Sequence, residues 1–287
     1  MSASQEIKQI KRLGIIAGGG NLPAYLLDSC KKKGMSVYIA ALNGQCDGAI
    51  IKAHPEDQML WTGLGEAGKI IEYFKQNEIS DLVMIGSVKR PKLSQIKPDL
   101  KAINILSRIG FKSLGDNSLL SALKGELEKE GFAVRGIQDF CDHLLMPMGV
   151  LGDYDSLADD QATIELGVKE SQKLGAKDIG QSVIVQDGQV IGVEDSKGTD
   201  NLIKRCSSLL KSNAGRGIIV KTCKPQQDTD LDLPTIGINT IQNAYEAGLK
   251  GVVLHAGYTL LVDPKGIAEY ANKYRMFVVG VDITHFS

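Results

Sequence analysis

The stretch richest in chemistry runs from Lys221 to Gly237 and reads Lys-Thr-Cys-Lys-Pro-Gln-Gln-Asp-Thr-Asp-Leu-Asp-Leu-Pro-Thr-Ile-Gly. Asp228, Asp230 and Asp232 alternate, so an extended backbone would set all three carboxylates on one face. Leu233 precedes Pro234, which biases that end toward extended geometry. Lys221, Lys224 and Gln227 stand just upstream. Carboxylates beside ammonium groups suit a magnesium–phosphate centre, in which oxygens take a hard cation and lysines neutralise phosphoryl oxygens. The bland reading of the same residues is a solvated acidic loop.

Three other stretches could meet a phosphate. Leu13-Gly-Ile-Ile-Ala-Gly-Gly-Gly-Asn-Leu-Pro23 sets Gly18, Gly19 and Gly20 between an apolar run and a proline suited to the first turn of a helix. Adjacent glycines can bring backbone amides close to an anion at a helix start; they can equally turn a tight corner. No Gly-Lys-Ser/Thr follows, so this is no P-loop, and the third glycine and ribose acid of a dinucleotide fingerprint are missing. Ile85-Gly-Ser-Val-Lys-Arg-Pro-Lys92 follows another strand, so Ser87, Lys89 and Arg90 would face the same crevice if the strands are parallel. Glu194-Asp-Ser-Lys-Gly-Thr-Asp200 leads into a helix. Thr199 and Asp200 there are either N-cap residues or part of an anion or metal site. The four histidines show no ligand spacing, and His255, inside an apolar strand, reads as a satisfied core residue.

These loops need a scaffold, and the patterning supplies one. Leu13–Ala17, Ser36–Leu42 and Asp81–Ile85 are apolar strands separated by helical periodicity over 22–33 and 65–76, with a further helix over 116–130. Continuous apolar strands joined by helices imply a parallel, Rossmann-like sheet over 1–140. Residues 141–157, with Met146-Pro-Met-Gly and an Asp-rich turn, read as a linker. A second α/β domain follows over 158–287. It opens on a helix over about 158–174, and its two alternating runs around Asp187-Gly188 carry the strongest short hairpin signal. Further strands are expected at 217–221, 251–254 and 276–281, which makes its sheet mixed.

At 287 residues the chain has room for two domains at roughly 100–200 residues each. A net charge of −1 and 5% aromatics argue against a nucleic-acid partner. Five scattered cysteines without metal spacing read as reduced thiols of a cytoplasmic protein. The start Met-Ser-Ala-Ser-Gln-Glu-Ile-Lys lacks the apolar run of a signal peptide.

Taken in order, the motifs around Gly18, Lys89, Asp178-Ile-Gly-Gln181, Thr199, Lys224-Pro-Gln-Gln-Asp228 and Asp232-Leu-Pro-Thr-Ile-Gly237 span nearly the whole chain, and the sequence resembles the LpxI type of UDP-2,3-diacylglucosamine pyrophosphatase of lipid A biosynthesis. The resemblance implies two domains and Mg2+-assisted hydrolysis to UMP and 2,3-diacylglucosamine 1-phosphate, with water sent to the phosphorus next to the sugar. It also implies that Asp232 is essential, that Asp228 accompanies it as an acidic position, and that Asp230 is left free. Gly18, Gly19, Gly20, Asn21, Leu22, Ser87, Lys89 and Arg90 would then meet the UDP-linked diacylated sugar, together with Thr199, Asp200, Lys221, Lys224 and Gln227. A homodimer and transient contact with the cytoplasmic face of the inner membrane are implied as well. The Met146-Pro-Met stretch is a candidate wall for acyl chains. The competing readings are a hydrolase of another UDP-sugar and a non-catalytic nucleotide-sugar or lipid-binding module.

Overall fold

The computed structural model describes residues 10–48, 52, 54–89, 97–109, 116–155, 159–210 and 217–286. The chain forms two compact units: Met1–Asp142 with Asp228–Asp232, and His143–Gln227 with Leu233–Ser287. The segment that carries the alternating aspartates thus belongs to the N-terminal unit, although its flanks on both sides belong to the other.

The first unit contains β1 (Arg12–Ala17), α1 (Leu22–Lys32), β2 (Ser36–Leu42), β3 (Met59–Thr62), α2 (Ala67–Gln76), β4 (Asp81–Ile85), α3 (Leu100–Ile109), α4 (Asp116–Lys129) and β5 (Ala133–Val134). Its strands form one parallel sheet in the order β3-β2-β1-β4-β5. That order places the switch point at β1, as in Rossmann-type sheets. The strands are apolar on both faces because helices must cover both: Leu13, Ile15, Ile39 and Leu82 are fully buried. On α2 the inward residues are Ile70, Ile71 and Phe74, the spacing that puts three side chains on one helical stripe.

The second unit contains β6 (Gly149–Val150), α5 (Gln161–Ala176), β7 (Ser182–Gln186), β8 (Gln189–Val193), α6 (Thr199–Cys206), β9 (Ile218–Lys221), β10 (Thr235–Gly237), α7 (Ile238–Glu246), β11 (Gly251–His255), β12 (Leu260–Val262), α8 (Pro264–Lys273) and β13 (Phe277–Val281). Six of its strands form a mixed sheet in the order β6-β13-β11-β9-β7-β8, and β10 pairs with β12. Strands β9, β11 and β13 run parallel, while β7 and β6 lie antiparallel to their neighbours. The β7–β8 hairpin turns at Asp187 and Gly188, both with positive φ, as the two-residue turn requires. Alternate residues feed two cores: Ile219, Val252 and Leu254 join one, Val220 and Val253 the other.

Two expectations change here. Part of 141–157 is built into the sheet: Gly149 and Val150 pair with Gly280 and Val279, where the missing side chain of Gly280 admits the carbonyl of Pro147. Met146 is buried in the core of the second unit, so it cannot wall an acyl trough, whereas Met148 is 63% exposed. The five cysteines are buried free thiols, and burial, followed by the neighbouring Cys141, pushes Cys30 up to about 12.

The glycine turn after β1 is stitched to the loop after β4. The Gly18 amide donates to the Ile85 carbonyl at 2.8 Å, and Gly19 and Ser87 exchange backbone bonds at 2.8 and 2.9 Å. A Cβ on Gly18 would stand 2.7 Å from the Ser87 carbonyl oxygen, and one on Gly86 (φ 101°) 2.7 Å from that of Gly19. Here the glycines make room for one another's backbones. Substituting Gly18→Ala should therefore cost about 1–3 kcal/mol, as overpacking does, and each kcal/mol should lower the thermal midpoint by roughly 2–4 °C in a chain of this size. An unchanged midpoint would show that the two loops can part without cost.

Candidate functional site

In the first unit, the loops at the carboxyl ends of β1, β2 and β4 meet. The Gly18 and Gly19 amides are spent on the stitch, so they are not donors to a ligand. What remains of an anion site is the start of α1, where Gly20 (φ 85°), Asn21 and Leu22 precede Pro23. Pro23 has no amide hydrogen, and the Ala24 and Tyr25 amides donate to the Asn21 carbonyl at 3.0 and 3.2 Å, so only the amides up to Leu22 are left to face an anion at the positive end of the helix. Gln45 reaches the loop after β4 from the β2 side. Its Oε1 accepts from the Lys89 amide at 2.8 Å and its Nε2 donates to the Lys89 carbonyl at 3.2 Å. Nothing in the sequence set Gln45 apart, because its partner is a backbone 44 residues away. Lys89 is exposed, Ser87 is fixed by the stitch, and Arg90 lies outside the described residues.

The acidic segment is a turn and not the extended strand expected. The Asp228 carbonyl accepts from the amides of both Leu231 and Asp232, at 3.0 and 3.1 Å, and its side chain accepts from the Asp230 amide at 3.1 Å. An aspartate that bonds the backbone two residues on favours a turn over extension, and the extending bias of Pro234 acts on Leu233, beyond the turn. Lys124 on α4 then binds Asp228 at 3.0 Å and Asp230 at 2.8 Å. Burial works against the Lys124 charge, but its hydrogen bonds to Asp230 and Asp228 outweigh it and raise its pKa. Gln138 donates to the Thr229 carbonyl at 3.1 Å, and Leu231 packs on the core of the unit. Asp139 nearby has its pKa raised by burial first and then by the Asp230 charge. Asp232 itself is exposed.

Among the described residues, no group of three or more His, Cys, Asp or Glu side chains stands close enough to hold a metal ion. Asp228 already has an ammonium partner, so Asp228 and Asp232 do not make a protein-enclosed cation site. Magnesium commonly takes one or two carboxylates and lets water and substrate phosphates complete its shell, and hard oxygen donors of that number are present.

In the second unit, Thr199 at the start of α6 and Lys221 at the end of β9 are in contact. The Lys221 Nζ donates to Thr199 Oγ1 at 2.8 Å, and Thr199 donates to Glu194 Oε1 at 2.6 Å. Asp200 accepts from Thr240 at 3.3 Å. Lys224 turns to Asp178 at 2.6 Å, and the Gln227 Oε1 accepts from the Lys224 amide at 3.1 Å and from Cys223 Sγ at 3.4 Å. Lys224 and Gln227 therefore brace the loop after β9. Glu194 and Lys124 were not singled out as functional residues in the sequence: Glu194 opens a motif whose Thr-Asp end drew the reading, and Lys124 is one lysine of an ordinary amphipathic helix.

Family models for the LpxI N-terminal domain and the LpxI C-terminal domain match residues 12–144 and 147–279. The chain belongs to the LpxI family. A curated relative, the UDP-2,3-diacylglucosamine pyrophosphatase LpxI of Caulobacter vibrioides, is 34% identical over 279 residues, which cover 95% of this chain and 98% of the relative. A solved structure of N5-carboxyaminoimidazole synthase from Aspergillus clavatus aligns with 71% of this chain and 45% of its own at 11% identity and a TM-score of 0.25, too low to carry any argument. In this LpxI chain, then, the motif containing Asp232 is a turn fastened within the N-terminal unit, while the Thr199 and Lys221 motifs share one polar cluster in the other unit.

At the end of β11, His255 is buried and stacked on Tyr258 with ring centroids 4.4 Å apart. It is the core residue expected, and its Nδ1 has no hydrogen-bond partner among the described residues. Burial lowers its pKa to about 4, with the Asp282 charge opposing. A histidine kept neutral in the fold but protonated when unfolded costs stability as the pH falls from 6.5 toward 4, and no further below that. His54, lowered chiefly by burial, adds in the same direction. The unfolding free energy should fall by up to about 3 kcal/mol across this window on account of His255. Denaturant titrations at each pH should show a smaller slope for His255→Asn than for the wild type; equal slopes would mean that His255 titrates normally in the fold.

Proposed function

We propose that this chain hydrolyses the pyrophosphate of UDP-2,3-diacylglucosamine, releasing UMP and 2,3-diacylglucosamine 1-phosphate as a step of lipid A biosynthesis. The observation that carries the reading is identity of 34% to a protein of that name over nearly the full length of both. The local chemistry agrees with it. Phosphoryl transfer gains most from positioning and charge neutralisation, and the chain offers one exposed carboxylate on a fastened turn, lysines at the ends of strands and loops, and the positive end of a helix.

In this reading Gly20, Asn21 and Leu22 at the start of α1, with Lys89 on the stitched loop, receive part of the UDP moiety. Water adds to the phosphorus next to the sugar, the bond from that phosphorus to the bridging oxygen breaks, and the bridging oxygen leaves as part of UMP. Asp232 orients the attacking water and accepts its proton or passes it to solvent. Lys221 and Lys224 neutralise phosphoryl oxygens. Asp232, with Asp228 beside it, would hold Mg2+, whose charge offsets that of the pyrophosphate. The natural setting of the reaction is the cytoplasm, as a homodimer in transient contact with the inner membrane where the acylated substrate lies. No helix among the described residues is long and apolar enough to cross a membrane.

The test is UMP release from UDP-2,3-diacylglucosamine by the purified full chain, with and without Mg2+, beside Asp232→Asn. Removing a group that manages the proton of attacking water should lower turnover by about 100-fold or more while circular dichroism and the thermal midpoint stay those of the wild type. A folded wild type that releases no UMP would sink the assignment of the reaction, and near-normal turnover by Asp232→Asn would sink the role of Asp232.

A further inference from the structure

The second unit holds a chain of polar side chains whose hydrogen-bond directions can be worked out. Thr199 Oγ1 lies 2.6 Å from Glu194 Oε1, 2.8 Å from Lys221 Nζ and 3.2 Å from Ser182 Oγ. Glu194, Lys221 and Ser182 are all buried. An ionised carboxylate only accepts, an ammonium only donates, and a hydroxyl has one proton and two lone pairs. The single Thr199 proton must therefore go to Glu194. One lone pair takes the Lys221 hydrogen, and the other takes the hydrogen of Ser182, which has to act as donor. Thr199 is saturated and has nothing left to offer a ligand. The other oxygen of Glu194, Oε2, is also occupied, accepting from the Gln181 amide at 2.8 Å.

We propose that Glu194 and Thr199 are positioning residues: Glu194 fixes the direction of the Thr199 hydroxyl, and Thr199 holds the Lys221 ammonium at the end of β9 rather than touching substrate. This replaces a direct contact between Thr199 and a phosphate with an indirect one, and it rests on the reading that Lys221 neutralises a phosphoryl oxygen. The physical reason is directional. Were Thr199 to donate to a phosphate, the buried Glu194 oxygen would lose its proton donor, and a buried charge left unpaired is costly.

A double-variant cycle separates positioning from contact. In the full chain, UDP affinity by calorimetry and kcat/KM for UMP release are measured for wild type, Thr199→Val, Lys221→Met and the double variant, with Thr199→Ser alongside. Losing one charge-assisted hydrogen bond should make Thr199→Val about 10- to 100-fold weaker in both readouts. Thr199→Ser, which keeps the hydroxyl, should recover most of that loss. With Lys221 gone Thr199 has nothing to hold, so the double variant should be no worse than Lys221→Met alone. Losses that multiply would overturn the proposal in favour of direct contact, and a serine variant as weak as the valine would reduce Thr199 to packing. Glu194→Gln, which cannot accept at both oxygens, replaces Thr199→Val in the cycle if the latter does not fold. A wild type that binds UDP but releases no UMP would sink the proposed reaction and leave the affinity cycle to decide the positioning. A wild type that binds no UDP would overturn the positioning as well.

Discussion

The ammonium of Lys124 between Asp228 and Asp230 is the interaction on which the acidic turn depends. Three carboxylates within five residues repel one another, and a turn that brings them together needs a counter-charge of fixed position. Lys124 supplies it from the side of a helix, where its own backbone is already rigid. Two of the aspartates are thereby fastened to the helix, and the third is displayed on the same short turn. The Gln138 amide on the Thr229 carbonyl and the packing of Leu231 act on the same five residues. A polar clamp, a backbone hydrogen bond and an apolar anchor together do what a regular strand or helix would otherwise do.

The two glycine-rich loops of the first unit solve a related problem by opposite means. Where the acidic turn is held by charge, the loops after β1 and β4 are held by the absence of side chains, so that backbone can bond directly to backbone. The result is an isolated antiparallel bridge between Gly19 and Ser87, just past the end of the parallel pairing of β1 and β4. Gln45 adds a side-chain clasp from the neighbouring loop.

The parts of the architecture that follow from periodicity were legible in the sequence. The strands around Ile15, Ile39 and Val83, the stripe of Ile70, Ile71 and Phe74, and the Asp187-Gly188 hairpin all come from local patterns that burial and turn geometry enforce. Elements of two or three residues, such as Ala133–Val134, Gly149–Val150 and Thr235–Gly237, carry too few side chains to show a period; each exists because a neighbouring strand is there to pair with it. At the site, residue types were legible and geometry was not. Asp232, Lys221 and Thr199 drew attention by chemistry, but the counter-charge that fastens the turn at 228–232, Lys124, lies more than a hundred residues away. Glu194 was part of a motif and still passed over, because its meaning lies in the direction of a proton that only three-dimensional neighbours determine.

The assignment of Asp228–Asp232 to the N-terminal unit has a consequence for how the polypeptide can be divided. A gene cut after residue 142 would seem to separate two complete modules. The C-terminal fragment would then carry the aspartates without Lys124 and Gln138, and the N-terminal fragment would keep Lys124 with no carboxylates of that turn to bind. Each half would hold one side of a fastener. The chain is thus modular in its sheets and indivisible at its acidic turn, and any rearrangement of these domains in evolution or engineering has to move the two together.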